Sequence, residues 1–151
     1  MGRRIFREDE SGCSIHLAPT ITTVARGDMT FWRIVSGLMA SGKTVLLPMT
    51  QNTRYDLLLD DAGEYVRIQC KTGRIINNGS VLTANACSSN HKGKRKSYNG
   101  DVDVFAIYSP ELDKIYLCPM NETIKNALWL RVKEPLVKSN KPVKWAKDFE
   151  L

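Results

Sequence analysis

Asp56, Gln69 and Lys71 are the residues of this chain whose types and spacing suit a hydrolytic site. In an extended strand successive side chains alternate faces, so Gln69 and Lys71 point the same way, about 7 Å apart, while Cys70 enters the opposite layer. Asp56 heads the preceding strand candidate, and pairing around the turn DDAG (residues 60–63) brings it beside Gln69. An acid, an amide and a lysine then share one end of a sheet. Such a set suits metal-assisted phosphodiester hydrolysis. Magnesium takes hard oxygen ligands at about 2.0 to 2.1 Å, here a carboxylate from Asp56, the Gln69 amide oxygen and the backbone carbonyl of Cys70. Lys71 is placed to orient a water or to offset charge developing on the phosphate. On spacing alone, an edge strand with Gln69 and Lys71 in solvent is the simpler reading, so other signals must decide.

The elements that position these residues follow from periodicity. Met29, Trp32, Ile34, Val35, Leu38 and Met39 recur at helical spacing, which predicts a helix over 25–40 with Asp28 or Thr30 as its cap. Strands are expected over 44–48, 55–59 and 64–72, with another in VLTANA after the turn NNGS. DVFAIY and KIYLCP make two more strands, joined by SPELD; a short helix over 121–128 and an irregular basic tail follow. One helix followed by mostly antiparallel strands is a mixed α/β, α+β-like class with a single central sheet. The expected organisation is an N-terminal extension (1–24), a core (25–128) and a basic tail (129–151).

The segment GLMASGKT (37–44) fits the phosphate-loop pattern, but that pattern needs a strand before it and a helix after it. Here the helix comes first and the apolar run TVLLP second, so Gly42 reads as a helix end and nucleotide binding is set aside.

A chain of 151 residues with net charge +6 is expected to be one domain. No apolar stretch reaches membrane-spanning length, so a soluble, cytoplasmic protein with no membrane partner is expected. Cys13, Cys70, Cys87 and Cys118 form no CxxC pair; they read as free thiols rather than a zinc site. The charge is localised. Residues 90–100 carry Lys92, Lys94, Arg95 and Lys96, and residues 131–147 hold six basic side chains against one acid, leaving the rest of the chain net negative. Basic segments on a mildly acidic body suit a polyanion contacted at chosen places.

Taken in order, the stretches GD (Gly27, Asp28), GKTVLLP, NTRYDLLLDD, YVRIQCKTGR and SYNGDVDVFAIYSPELDKIYLCP resemble the PD-(D/E)XK endonucleases associated with group I introns, the homing endonuclease branch of that superfamily. The resemblance covers about residues 26–120; a more distant likeness is to archaeal Holliday junction resolvases. It implies a restriction-endonuclease-like αβββαβ core whose central mixed sheet is flanked by helices. It further implies double-stranded DNA as partner, cleavage dependent on Mg²⁺ (with Mn²⁺ able to substitute), and assembly into a homodimer or homotetramer. By that resemblance Asp56 falls on the family aspartate, Gln69 on its Glu or Gln, and Lys71 on its lysine. One departure stands out: where the family commonly has a glutamate about one turn after GD, this chain has Phe31, which cannot bind a metal. Asp28, three residues earlier on the same helical face, is the carboxylate that can take its place. DNA contacts are expected from Lys92, Lys94, Arg95 and Lys96 beside Tyr98, and from Arg54 and Arg74 near the cleavage site. Two alternatives stay open: a DNA-binding module that has lost catalysis, and a structure-specific junction nuclease.

Overall fold

The fold is given by a computed structural model and is described for residues 6–9, 12–15, 21–50, 52–89, 92–134 and 142–151. Most of the expected N-terminal extension, and residues 135–141 of the expected tail, lie outside the described residues. Two short strands, β1 (Phe6–Asp9) and β2 (Gly12–Ile15), pair antiparallel. The helix α1 runs Thr23–Ala40. Its cap is Thr22, whose Oγ1 accepts from Ala25 N at 3.1 Å, rather than the expected Asp28 or Thr30. Two further residues, Thr23 and Val24, wind into the helix; Asp28 lies inside it and Thr30 is buried against the sheet.

The helix ends as its sequence predicts. Gly42 takes a left-handed φ of +79°, Ser41 N and Gly42 N donate to helix carbonyls, and the chain enters β3 (Thr44–Leu46). Helix, glycine, strand is the reverse of a phosphate loop, and Lys43 is held by Asp61 at 2.8 Å.

β4 (Leu57–Asp61) and β5 (Glu64–Thr72) form a hairpin around Ala62 and Gly63, both with positive φ, and Asp60 Oδ1 accepts from Gly63 N. β10 (Val104–Ser109) pairs parallel with β5, and β11 (Lys114–Pro119) pairs antiparallel with β10. The central sheet is therefore mixed, ordered β11-β10-β5-β4-β3. α1 covers one face through Ile34, Val35 and Leu38, which meet Leu57, Leu59, Ile68 and Ala106. Each such fully buried aliphatic side chain contributes about 1.5–3 kcal/mol.

The other face departs from the helix-flanked arrangement. Between β5 and β10, where the family resemblance implied a second helix and the residue pattern a strand in VLTANA, the chain forms β6 (Arg74–Ile76), β7 (Val81–Asn85), β8 (Cys87–Ser89) and β9 (Arg95–Ser97). The reason is local: RII and VLTAN are β-branched and alternate, and the turn between them uses Asn77, Asn78 and Gly79 at positive φ. The expected helix over 121–128 is also absent. Its last residues belong to β12 (Ala127–Arg131), because Leu128 and Leu130 alternate into the core and pair with β7. The boundary expected at residue 128 thus falls inside a strand. β12, β7 and β6 make a three-stranded antiparallel sheet packed on Phe105, Ile107 and Tyr116. A 3₁₀ turn, Ala146–Phe149, closes against β11 with Ala146 buried.

Candidate active site

Asp56 extends the β4–β5 ladder by one step. Its N–H donates to Ile68 O at 2.8 Å, and since Leu57 pairs with Ile68, Asp56 stands opposite Gln69. The structure brings the two side chains together. Asp56 Oδ2 accepts from Cys70 N at 2.7 Å and from the Gln69 Nε2 amide. Both donors fall on one oxygen, so Oδ1 has no donor among the described residues, and Asp56 has no ion-pair partner there.

Gln69 is 8% exposed and lies on the sheet face that carries Phe105, its register partner on β10. Lys71 follows on the same face. Its Nζ donates to Tyr98 Oη at 3.1 Å and lies 4.8 Å from the centre of that ring. Cys70 faces the helix side, where burial first and the Asp56 charge second push its thiol well above the ordinary range, so it stays a protonated thiol rather than a nucleophile. Cys118 is buried too, its thiol pushed up to about 12 by burial, and the three cysteines with described side chains are free.

On the helix side, Asp28, Phe31, Asp56, Cys70 and Thr72 line one cleft of about 510 Å³. Thr30 and Thr72 tie α1 to β5 through a 2.7 Å hydroxyl contact, which fixes how Asp28 and Phe31 overlook the cleft. Phe31 sits edge-on to Trp32, with ring centroids 5.1 Å apart. The site is thus divided by the sheet: Gln69 and Lys71 on one face, Asp28 and Phe31 on the other. Asp56 touches both.

The donor chemistry fits a hard divalent cation. The spare carboxylate oxygen of Asp56 and the Asp28 carboxylate in the same cleft are oxygen donors, whereas Gln69 lies on the other face and turns its amide N–H to Asp56. The set is lean in charge: no group of three or more His, Cys, Asp or Glu side chains stands at ligating distance among the described residues.

The residues expected to meet DNA divide into two groups. Arg54 is turned away from Asp56. Its Nε donates to Asp101 Oδ2 at 3.0 Å, Nη1 to Ser88 Oγ at 2.9 Å and Nη2 to Ser97 O at 2.8 Å, while the guanidinium lies 4.5 Å from the Tyr98 ring. All three guanidinium nitrogens donate within the fold, so Arg54 serves as a structural clamp where a phosphate contact was expected. Tyr98 is 5% exposed, packed edge-on to Phe105, and so lies under the loop rather than on its surface. Lys92, Lys94, Arg95 and Lys96 are exposed on the β8–β9 hairpin and its connection, and Arg74 is exposed at the start of β6. Because Arg54 bonds Ser88 on β8 and Ser97 on β9, it fastens this basic hairpin beside Lys71 and Tyr98. Asp101, Asp103 and the Tyr98 clamp were not singled out from the sequence; the run DVD beside Tyr98 was the available signal.

No helix among the described residues is long and apolar enough to cross a membrane. A family model described as PD-(D/E)XK endonuclease matches residues 21–151. Among solved structures, a bacterial homing endonuclease is similar to this chain with a TM-score of 0.61 at 17% identity, covering 85% of this chain and 86% of its own. No curated protein matches the sequence significantly.

Proposed function

The chain belongs to the PD-(D/E)XK endonuclease family, and from that premise we propose that it is a Mg²⁺-dependent, site-specific double-strand DNA endonuclease of the intron-associated homing type. The observation that carries the reading is the register of β4 on β5. It sets Asp56 opposite Gln69, with two N–H donors on one carboxylate oxygen and Lys71 one place further along the same face.

Asp56 would hold the ion, with Asp28 across the cleft and the Cys70 backbone carbonyl as a neutral donor, and Gln69, expected from the sequence as a further ligand, would act from the other face through its hydrogen bond to Asp56. The ion supplies Lewis-acid charge to a phosphodiester and makes a water more nucleophilic. Lys71, held by Tyr98, offsets charge developing on the phosphate oxygens. The amide and thiol around Asp56 stay neutral, so the carboxylate keeps its negative charge directed at the cleft. Lys92, Lys94, Arg95, Lys96 and Arg74 would bind the DNA backbone. Assembly into a homodimer or homotetramer is supported by the exposed apolar stripe Met29, Trp32 and Met39 on the outer side of α1.

Incubating the protein with long mixed-sequence DNA, with Mg²⁺ or with chelator, tests the reading. Discrete fragments are expected only with Mg²⁺, and none from Asp56→Ala or Lys71→Ala; cutting that survives either substitution removes the mechanism. A second reading rests on Phe31, an apolar ring in the cleft where the family carries a carboxylate. It describes a protein that binds DNA and does not cut it, and in that case Phe31→Glu gains metal-dependent cleavage.

A further inference from the structure

The sheet β12-β7-β6 buries one face on the core through Leu82, Ala84, Leu128 and Leu130. Strand alternation turns Arg74, Ile76, Val81, Thr83, Asn85, Ala127, Trp129 and Arg131 to the other face, with Val81 buried beside a half-buried Arg131. The register sets Arg74, Thr83 and Trp129 in one row across the three strands. Trp129 is 56% exposed, an unusual placement for a large indole in a sheet that has a core to join. The three strands RII, VLTAN and ALWLR carry two arginines and no acid. Arg33, Arg54 and Arg67 each meet a carboxylate, whereas Arg74 and Arg131 have no ion pair among the described residues.

We propose that the outer face of this sheet is a second DNA-docking surface, on which Arg74 and Arg131 hold backbone phosphates of duplex flanking the cleavage site and Trp129 packs between them. This rests on the DNA-nuclease reading above. Two strands of separation put Arg74 about 10 Å from Trp129, and Arg131 lies about 7 Å beyond it along β12. The two arginines therefore stand about 12 Å apart across the diagonal, close to the width of the DNA major groove at about 12 Å. The chain also joins this sheet directly to the strand that carries Lys71. Only Thr72 and Gly73 separate Lys71 from Arg74, and Gly73 makes the passage between sheets possible: a Cβ there would lie 2.6 Å from Leu82 Cδ1 and 2.9 Å from Ile107 Cγ2.

The test is binding of a fluorescein-labelled mixed-sequence duplex, three helical turns long, to the full chain in chelator across a salt titration. Arg74→Gln and Arg131→Gln should each lower the logarithmic salt slope by about 0.9. Together they should weaken binding more than tenfold at an unchanged melting temperature. Trp129→Ala should weaken it likewise, and Trp129→Phe should keep most of it. Wild-type affinity and slope in the double variant overturn the proposal, as does a change in molecular mass with DNA binding intact, which would mark the face as a contact with a second copy. Metal-dependent cutting of long DNA is read in parallel on the wild type. Cutting with binding indifferent to Arg74 and Arg131 removes the docking surface, and the backbone contact at Arg74 with it, and leaves the nuclease reading standing. Binding that depends on them without any cutting supports the surface and removes the nuclease reading. No salt-dependent binding by the wild type overturns both.

Discussion

Asp56 and Asp103 flank β5 from its two sides, one before an antiparallel neighbour and one before a parallel one, and their surroundings differ. Asp56 precedes β4, donates its N–H to Ile68 O and accepts from Cys70 N; Asp103 precedes β10, donates its N–H to Arg67 O and accepts from Arg67 N. Around Asp103 the charge is answered within the fold. Arg67 grips it as a fork, with Nε to Oδ2 at 3.0 Å and Nη2 to Oδ1 at 2.7 Å, and also bonds Gly100 O. Among the described residues Asp56 meets only neutral partners, the Gln69 amide and the Cys70 N–H, and it lines an open cleft. One aspartate is a structural staple. The other is a negative charge placed where a cation from outside can reach it.

The sharpest way to break this contrast is to neutralise each aspartate in turn. Asp56→Asn should lower DNA cleavage about 100-fold or more, the scale of removing one charged group from a reacting centre, and leave thermal stability nearly unchanged. Asp103→Asn should do the opposite. It leaves Arg67 short of its anionic partner and lowers stability by about 1–2 kcal/mol in urea denaturation; the half-exposed setting keeps the figure small, and activity per folded molecule is retained.

Acid titration sharpens the same contrast. The Arg67 hydrogen bond holds the Asp103 carboxyl below the usual range, and Arg54 does the same for Asp101. A depressed folded pKa means the unfolded chain binds protons more readily, so this stabilisation is fully present above about pH 4 and is lost as pH falls below it. Urea midpoints measured from pH 7 down to 3 should fall below about pH 4, with a shallower fall in Asp103→Asn. The smallest effect is expected at Gln69. Gln69→Glu sets a second carboxylate against Asp56, which should cost about 1 kcal/mol without divalent ion, and added Mg²⁺ should recover it as a rise in melting temperature.

Much of this arrangement is legible in the sequence because it is local. The DDAG turn fixes the register of β4 on β5, and strand alternation then places Gln69, Cys70 and Lys71. The helix–Gly42–strand order that excludes a phosphate loop is likewise read within a few residues. What escaped depends on distant partners. Arg54 looks like a phosphate ligand beside Asp56 until Asp101, 47 residues on, claims it. Residues 121–128 favour a helix by composition, yet β7 offers Leu128 and Leu130 a ladder and a core, and tertiary pairing wins. The division of the site by the sheet, with Asp28 on one face and Lys71 on the other, follows from where α1 docks, which no local pattern encodes.

The central claim, that Asp56 positions a divalent ion against DNA, is tested most directly by Mn²⁺ binding to the wild-type chain and to Asp56→Asn, followed by electron paramagnetic resonance of the free ion. Loss of free-ion signal with the wild type and none with the variant is the predicted result; equal uptake by the two proteins would contradict it.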